Sequence, residues 1–142
     1  MLENFDELRK YCEQLAIHLT NQQELILQIV YEHDTGLTSN DILKLLQCQN
    51  PTANRMTIYR AIEYLLEQKL IHKIQSNNTY TICKHPSDHS CQILVCTICG
   101  QQQEIHSHQI CAALDNLRNN YGFAFSNPLE ITGICHQCRQ RP

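Results

Sequence analysis

The chain has no run of about 18 apolar residues, so nothing in it reads as a membrane-spanning helix. Its first residues, MLENFDELRK, lack the basic start and following apolar run of a secretory leader. Both absences point to a cytoplasmic protein. An overall basic charge is missing too: the formal net charge is -3 over 142 residues, which as an average argues weakly against nucleic acid. Neither His-Glu-x-x-His nor the deaminase His-x-Glu pattern occurs, which disfavours a zinc hydrolase or deaminase, and no enzyme is expected. Internal repeats and low-complexity tracts are absent, and the first half holds a single glycine, Gly36. The length suits one domain or two small ones, and two compact modules are the expectation.

What the chain does hold is nine cysteines. A reducing cytosol makes paired cysteines metal ligands or redox groups rather than disulfides, and an odd count agrees. Cys96-x-x-Cys99 is followed after 35 residues by Cys135-x-x-Cys138. Four thiolates in two such pairs form the tetrahedral set that structural zinc prefers, and a helix plus a strand fits in the spacer. Two independent redox pairs would need a thioredoxin-like strand-to-helix setting, which neither pair clearly has.

Periodicity divides the rest. Leu8, Cys12 and Leu15 predict a short amphipathic helix ending near Leu19. Thr20 with Gln23, and Thr38 with Asp41, are capping-box patterns ahead of two further apolar stripes. A fourth helix carries Ile58, Ile62, Leu65 and Leu66 on one face and Arg55, Tyr59, Arg60 and Glu63 largely on the other. LIHKIQSNNTYTIC then switches to the alternation of a β-hairpin around Ser-Asn-Asn. This order is that of a winged helix-turn-helix, whose helix after the turn enters the major groove. Between Leu37 and Gln75 five basic residues face three acidic ones, a local balance of +2 that leaves room for a basic face.

Residues 84–90 read as a hinge, separating a winged-helix DNA-binding domain at 1–83 from a small α/β module at 91–142. The overall class is α+β. In the second domain strands flank the first cysteine pair, and a helix with Ile110, Leu114, Leu117 and Tyr121 on one face stops at Gly122. A strand-like stretch then leads into the second pair. Cys12, Cys48 and Cys111 fall on or beside apolar faces and read as small core groups. His18, His33 and His136 read as surface groups. His106 and His108, two apart, would share one face of a strand and raise the question of a further metal site.

If Asn77 and Asn78 form a two-residue turn, His72 lies opposite Cys83 in the hairpin, at a distance suited to joint ligation of one ion. Further ligands would come from His85, Asp88, His89, Cys91 or Glu104.

TIYRAIEYLLEQKLIHKIQSNNTYTIC, with the two Cys-x-x-Cys pairs behind it, resembles the ferric uptake regulator family, and most closely its zinc-sensing branch. The similarity spans nearly the whole chain. It implies a zinc-responsive homodimeric repressor that binds double-stranded operator DNA to control zinc uptake, with two zinc ions per protomer, no membrane partner and no small-molecule substrate. For the α/β module at 91–142 it implies the role of a dimerisation domain. It assigns the structural zinc to Cys96, Cys99, Cys135 and Cys138, and a regulatory zinc to His72, Cys83, His89 and Glu104. Tyr59 and Arg60 match family positions facing DNA, and Thr57 opens the same motif. Lys44, Arg55 and Lys73 are expected at the phosphate backbone. Iron- and peroxide-sensing relatives carry a His-rich cluster just before the first pair, where this chain has Ile93. A cysteine ligand also favours zinc over Fe(II) or Mn(II). After Leu19 the family's Thr-Pro-x-Arg is replaced by TNQQE. An iron- or peroxide-sensing regulator, or one switched by thiol oxidation, is the alternative.

Overall fold

A computed structural model describes residues 2–86, 92–124 and 128–141. The chain divides into two compact units, Met1–Pro86 and Ser87–Pro142. The first holds α1 (Phe5–Gln14), α2 (Asn21–Tyr31), α3 (Ser39–Gln47) and α4 (Arg55–Glu67), then the hairpin strands β1 (Ile71–Ile74) and β2 (Thr79–Ile82). Both threonine caps form as reciprocal boxes. Gln23 N–H donates to Thr20 Oγ1 at 3.1 Å while Thr20 N–H donates to Gln23 Oε1 at 2.9 Å. Thr38 and Asp41 repeat the exchange at 3.1 Å in both directions. Each cap is worth about 1 kcal/mol. The apolar stripes converge on one core in which Leu8, Ile26, Val30, Ile42, Leu46 and Leu65 are fully buried. Burial of each such side chain stabilises the fold by about 1.5–3 kcal/mol. Leu37, just before α3, exchanges backbone hydrogen bonds with Tyr80 of β2, at 3.0 and 2.7 Å, and so ties the hairpin to the helices.

One helix boundary differs from the sequence reading. α1 stops at Gln14 rather than near Leu19, because Ala16 adopts a left-handed φ of 53° and Ile17 N–H closes back on Cys12 O at 2.8 Å. α4 ends the same way, with Lys69 at φ 60° and Leu70 N–H on Leu65 O at 3.1 Å. Both are left-handed helix terminations made without the glycine that normally marks them.

The hairpin register also differs. Ile74 pairs with Thr79, so the loop has four residues, with Asn78 at φ 56° and Asn77 Oδ1 accepting from the Thr79 hydroxyl at 2.6 Å. His72 therefore faces Thr81, not Cys83, and Cys83 N–H bonds to Leu70 O at 2.9 Å.

The second unit contains β3 (Gln92–Cys96), β4 (Gln102–Ile105), α5 (His108–Tyr121), β5 (Leu129–Gly133) and the one-turn α6 (His136–Arg139). The sheet order is β4-β3-β5, with β3 antiparallel to β4 and parallel to β5, so α5 lies in the crossover. Gly122 terminates α5 at φ 60°, as its position predicted. None of α5's side chains is fully buried, and Leu117, Tyr121, Leu94 and Ile131 are all exposed.

Candidate metal centres and nucleic-acid face

The parallel pairing of β3 with β5 sets Cys96 beside Gly133, two residues before Cys135. Each strand then turns tightly. After Cys96 the chain doubles back: Gly100 N–H donates to Cys96 O at 3.0 Å with Gly100 at φ +76°, a conformation that suits glycine. After β5, Cys135 takes the N-cap position of α6, and Arg139 N–H donates to its carbonyl at 3.0 Å. Thr97 staples the two turns through its backbone N–H, 2.8 Å from Gly133 O.

The result is a cluster of four free thiols, Cys96, Cys99, Cys135 and Cys138, whose sulfurs all lie within 4.8 Å of one another. Cys99 Sγ and Cys135 Sγ are 3.8 Å apart. A disulfide would require about 2.05 Å. Four sulfurs each about 2.3 Å from a zinc ion are instead separated by roughly 3.8 Å, the edge of the tetrahedron. The residues present therefore fit a Cys₄ zinc ion by donor type, number and spacing. Cys96 and Cys138 are buried, Cys135 is half-buried and Cys99 is exposed.

Electrostatics in the cluster separates its members. Backbone N–H groups of Cys99 and then Cys135 stabilise the Cys96 thiolate and lower its pKa to about 6. The Cys135 N–H contact is seen directly, 3.3 Å from Cys96 Sγ. Cys138 is pushed up to about 12, first by the Cys135 thiol and then by burial and its other two neighbours. Four thiols this close do not all ionise without a cation among them.

Within the first unit, His72 and Cys83 lie on one face of the hairpin as diagonal neighbours, since His72 faces Thr81 and Cys83 follows two residues later. Their ligand atoms still come within 4.8 Å of each other, so the pair survives the change of register. His72 is half-buried and Cys83 buried. In the second unit Glu104 stands on β4 opposite Ile93 and is half-buried. Asp88, His89 and Cys91 lie outside the described residues, and His85 is half-buried just beyond the hairpin.

The other assigned residues gather on α3, α4 and β1. Arg55, Tyr59 and Arg60 are exposed on α4, and Lys44 is exposed on α3. Thr57 is half-buried with its hydroxyl bonded to Asn54 Oδ1 at 3.0 Å, which makes it part of the helix cap. Lys73 is half-buried on β1. Ser39 and Asn40, at the start of α3, line a small cleft with Arg55 and Tyr59.

Cys12 is buried and its pKa is raised by desolvation and then by Glu24, the behaviour of an inert core thiol. Cys48 is exposed rather than a core group, and Cys111 is half-buried. His33 is half-buried on the Ile29 carbonyl, whereas His18 and His136 are exposed.

Residues 14–130 match the model of the ferric uptake regulator family. The zinc uptake regulation protein of Escherichia coli K12 is 32% identical over 136 residues, covering 93% of this chain and 79% of that one. The ferric uptake regulation protein of Bacillus subtilis 168 is 27% identical over 143 residues, covering 97% and 96%. Among solved structures, a zinc uptake regulator complexed with zinc and DNA superposes with a TM-score of 0.84 at 30% identity, over 95% of this chain and 92% of that one. The holo form of XcZur gives the same TM-score, 0.84, at 22% identity, over 96% of each chain, a likeness of fold. A family match over residues 14–130, together with a relative 32% identical over 93% of the chain, leads to one conclusion: the chain belongs to the ferric uptake regulator family.

Proposed function

We propose that the chain is a zinc-responsive transcriptional repressor that binds operator DNA as a homodimer and acts by binding rather than catalysis. The observation that carries this reading is the four-sulfur cluster with its 3.8 Å edge, in a chain 32% identical to a zinc uptake regulation protein. Two zinc ions per protomer are proposed. Cys96, Cys99, Cys135 and Cys138 would hold the structural ion, and His72, Cys83, His89 and Glu104 the regulatory one. When bound, zinc supplies a double positive charge that neutralises the thiolates and holds distant parts of the chain together.

The chain's own residues do the rest. His72 and Cys83 offer one nitrogen and one sulfur from a hairpin already anchored to the helical core, so occupancy is felt by the unit that carries α4. Arg60 and Tyr59 point outward from α4 for base-edge and backbone contacts. Arg55, Lys44 and Lys73 would neutralise phosphates, each raising the salt dependence of binding. Thr57, at the start of α4, is proposed at the same DNA-facing surface, and its hydroxyl also buttresses the Asn54 cap. Selecting the binding-competent population with the regulatory ion obliges DNA to tighten that ion's binding by the same factor, typically about 1–3 kcal/mol. Leu94 and Ile131 on the sheet and Leu117 and Tyr121 on α5 are exposed apolar groups, a surface that supports pairing with a second copy. Domain limits at 1–83 and 91–142, with a hinge at 84–90, remain part of the proposal.

The test is a metal count on the purified protein, followed by fluorescence anisotropy on a duplex selected from a random pool, titrated with free Zn(II) or Fe(II) at fixed salt. One zinc retained under mild chelation, and a second whose removal releases DNA and which Fe(II) does not replace, is the expected result. Equal restoration by Fe(II) would overturn the zinc assignment. DNA binding indifferent to every metal would overturn the regulatory site.

A further inference from the structure

β4 ends at Ile105 and α5 is capped by Ser107, so His106 and His108 flank the cap residue of a sharp corner. The sequence expectation of one strand face does not hold here, because the strand has already ended. The two imidazoles meet nonetheless: their ring centroids are 5.0 Å apart and the rings stand edge to face at 83°.

The corner beneath them is fixed from the core side. Gln92 is a fully enclosed polar residue, and its Oε1 accepts from Ser107 N–H at 3.0 Å. Its Nε2 reaches Cys111 Sγ at 3.5 Å. Ser107 Oγ in turn accepts from Ile110 N–H at 3.4 Å. One buried amide thus joins β3, the cap and the first turn of α5, and holds the backbone between the histidines.

The spacing has a chemical meaning. A ligating imidazole nitrogen sits about 2.0–2.1 Å from zinc, which puts the ring centre roughly 3 Å from the ion and two such rings, at a tetrahedral angle, about 5 Å apart. His106 is half-buried and His108 exposed, so the outer side of the pair is open to water, which would complete the coordination. We propose that His106 and His108 form a third metal site, an open two-imidazole site for a divalent transition-metal ion that favours nitrogen ligands, such as Zn(II), Ni(II) or Cu(II). It shares no ligand with either site described above. Two protein ligands, next to the positive end of α5, make it weaker than the cysteine site and readily exchanged.

The probe is Zn(II), added to the full-length protein after its tighter sites are saturated. Equilibrium dialysis counts the bound ion while long-range ¹H–¹⁵N spectra follow the imidazole nitrogens. The parent takes up one further equivalent, and the His106 and His108 nitrogens shift together as it does. His106→Gln and His108→Gln each lose that equivalent and keep the tighter ones. An extra equivalent that survives either substitution, or parent spectra in which these nitrogens do not move with added zinc, overturns the site. The parent spectra decide even where a variant folds poorly. Failure of the regulatory assignment would instead appear in the tighter equivalents, which these variants leave in place.

Discussion

The four-cysteine cluster and the His72–Cys83 pair both draw donors from strands and the segments that follow them, yet they differ in completeness. The first finds all four donors inside one unit, on two turns held together by the β3–β5 ladder and the Thr97 staple. The second finds two donors on one hairpin and needs others from elsewhere in the sequence. A closed set is suited to an ion that never leaves, and an incomplete one to an ion that reports its concentration. On the proposed assignment, the contrast teaches that permanence and responsiveness follow from where the ligands come from, not from which residue types they are.

The harshest way to test the contrast is to remove one donor from each side of it. Cys138→Ser deletes a buried thiol of the proposed closed set, and structural zinc is worth roughly 10–16 kcal/mol in small domains. The expected outcome is a second unit that no longer holds zinc and melts without cooperativity, read by zinc retention after dialysis and by thermal circular dichroism. Cys83→Ser should leave the melting of the zinc-bound protein almost unchanged while zinc-dependent DNA binding disappears. If Cys83→Ser unfolded the protein as Cys138→Ser does, the division into permanent and responsive sites would collapse.

Proton release sharpens the same comparison. With its pKa lowered to about 6, Cys96 is already a thiolate at neutral pH and yields no proton on metal uptake. Cys138, pushed up to about 12, must give one up across the whole neutral range. Zinc loading of the metal-free protein at pH 7.5 should therefore release protons. The number released rises as pH falls through about 6, where Cys96 also becomes protonated, so affinity falls more steeply with acidification below that point. Calorimetry in buffers of different ionisation enthalpy measures this directly, and release that stayed flat through pH 6 would contradict the Cys96 assignment.

The smallest effect lies outside both sites. Thr38→Ala breaks the capping box before α3 and should cost about 1 kcal/mol, seen as a lower denaturant midpoint without loss of zinc. A change in metal content would mean that the helical core and the cysteine site are less independent than the two units suggest.

Much of this was legible in the sequence, for reasons that differ by element. Thr20 with Gln23 and Thr38 with Asp41 declared their helices, because a capping box needs particular side chains at a fixed interval. The two cysteine pairs declared their cluster, because tetrahedral sulfur ligation tolerates few spacings. The end of α1 was hidden, since Ala16 takes the left-handed conformation that glycine usually announces. The hairpin register was misread by a four-residue loop: Asn77 and Asn78 are turn residues, but Asn77 spends its carbonyl on Thr79 instead of sitting in a two-residue turn. His72 and Cys83 kept a common face because the pairing sum moved by two, an even step that preserves sidedness. α6 went unseen because one turn has no periodicity to read.

The parallel alignment of β3 with β5 also has a meaning in time. Cys96 and Cys99 leave the ribosome roughly forty residues before Cys138, which at about 5–20 residues per second is an interval of about 2–8 s. Throughout it the nascent chain carries half a site, two thiols without the second pair that completes the cluster. The helical unit, whose hydrophobic core is built entirely from residues already made, can fold during that delay. The sheet unit cannot commit until its last cysteine arrives, so newly made protein passes through a stage in which its DNA-facing helices are complete while its metal cluster is not.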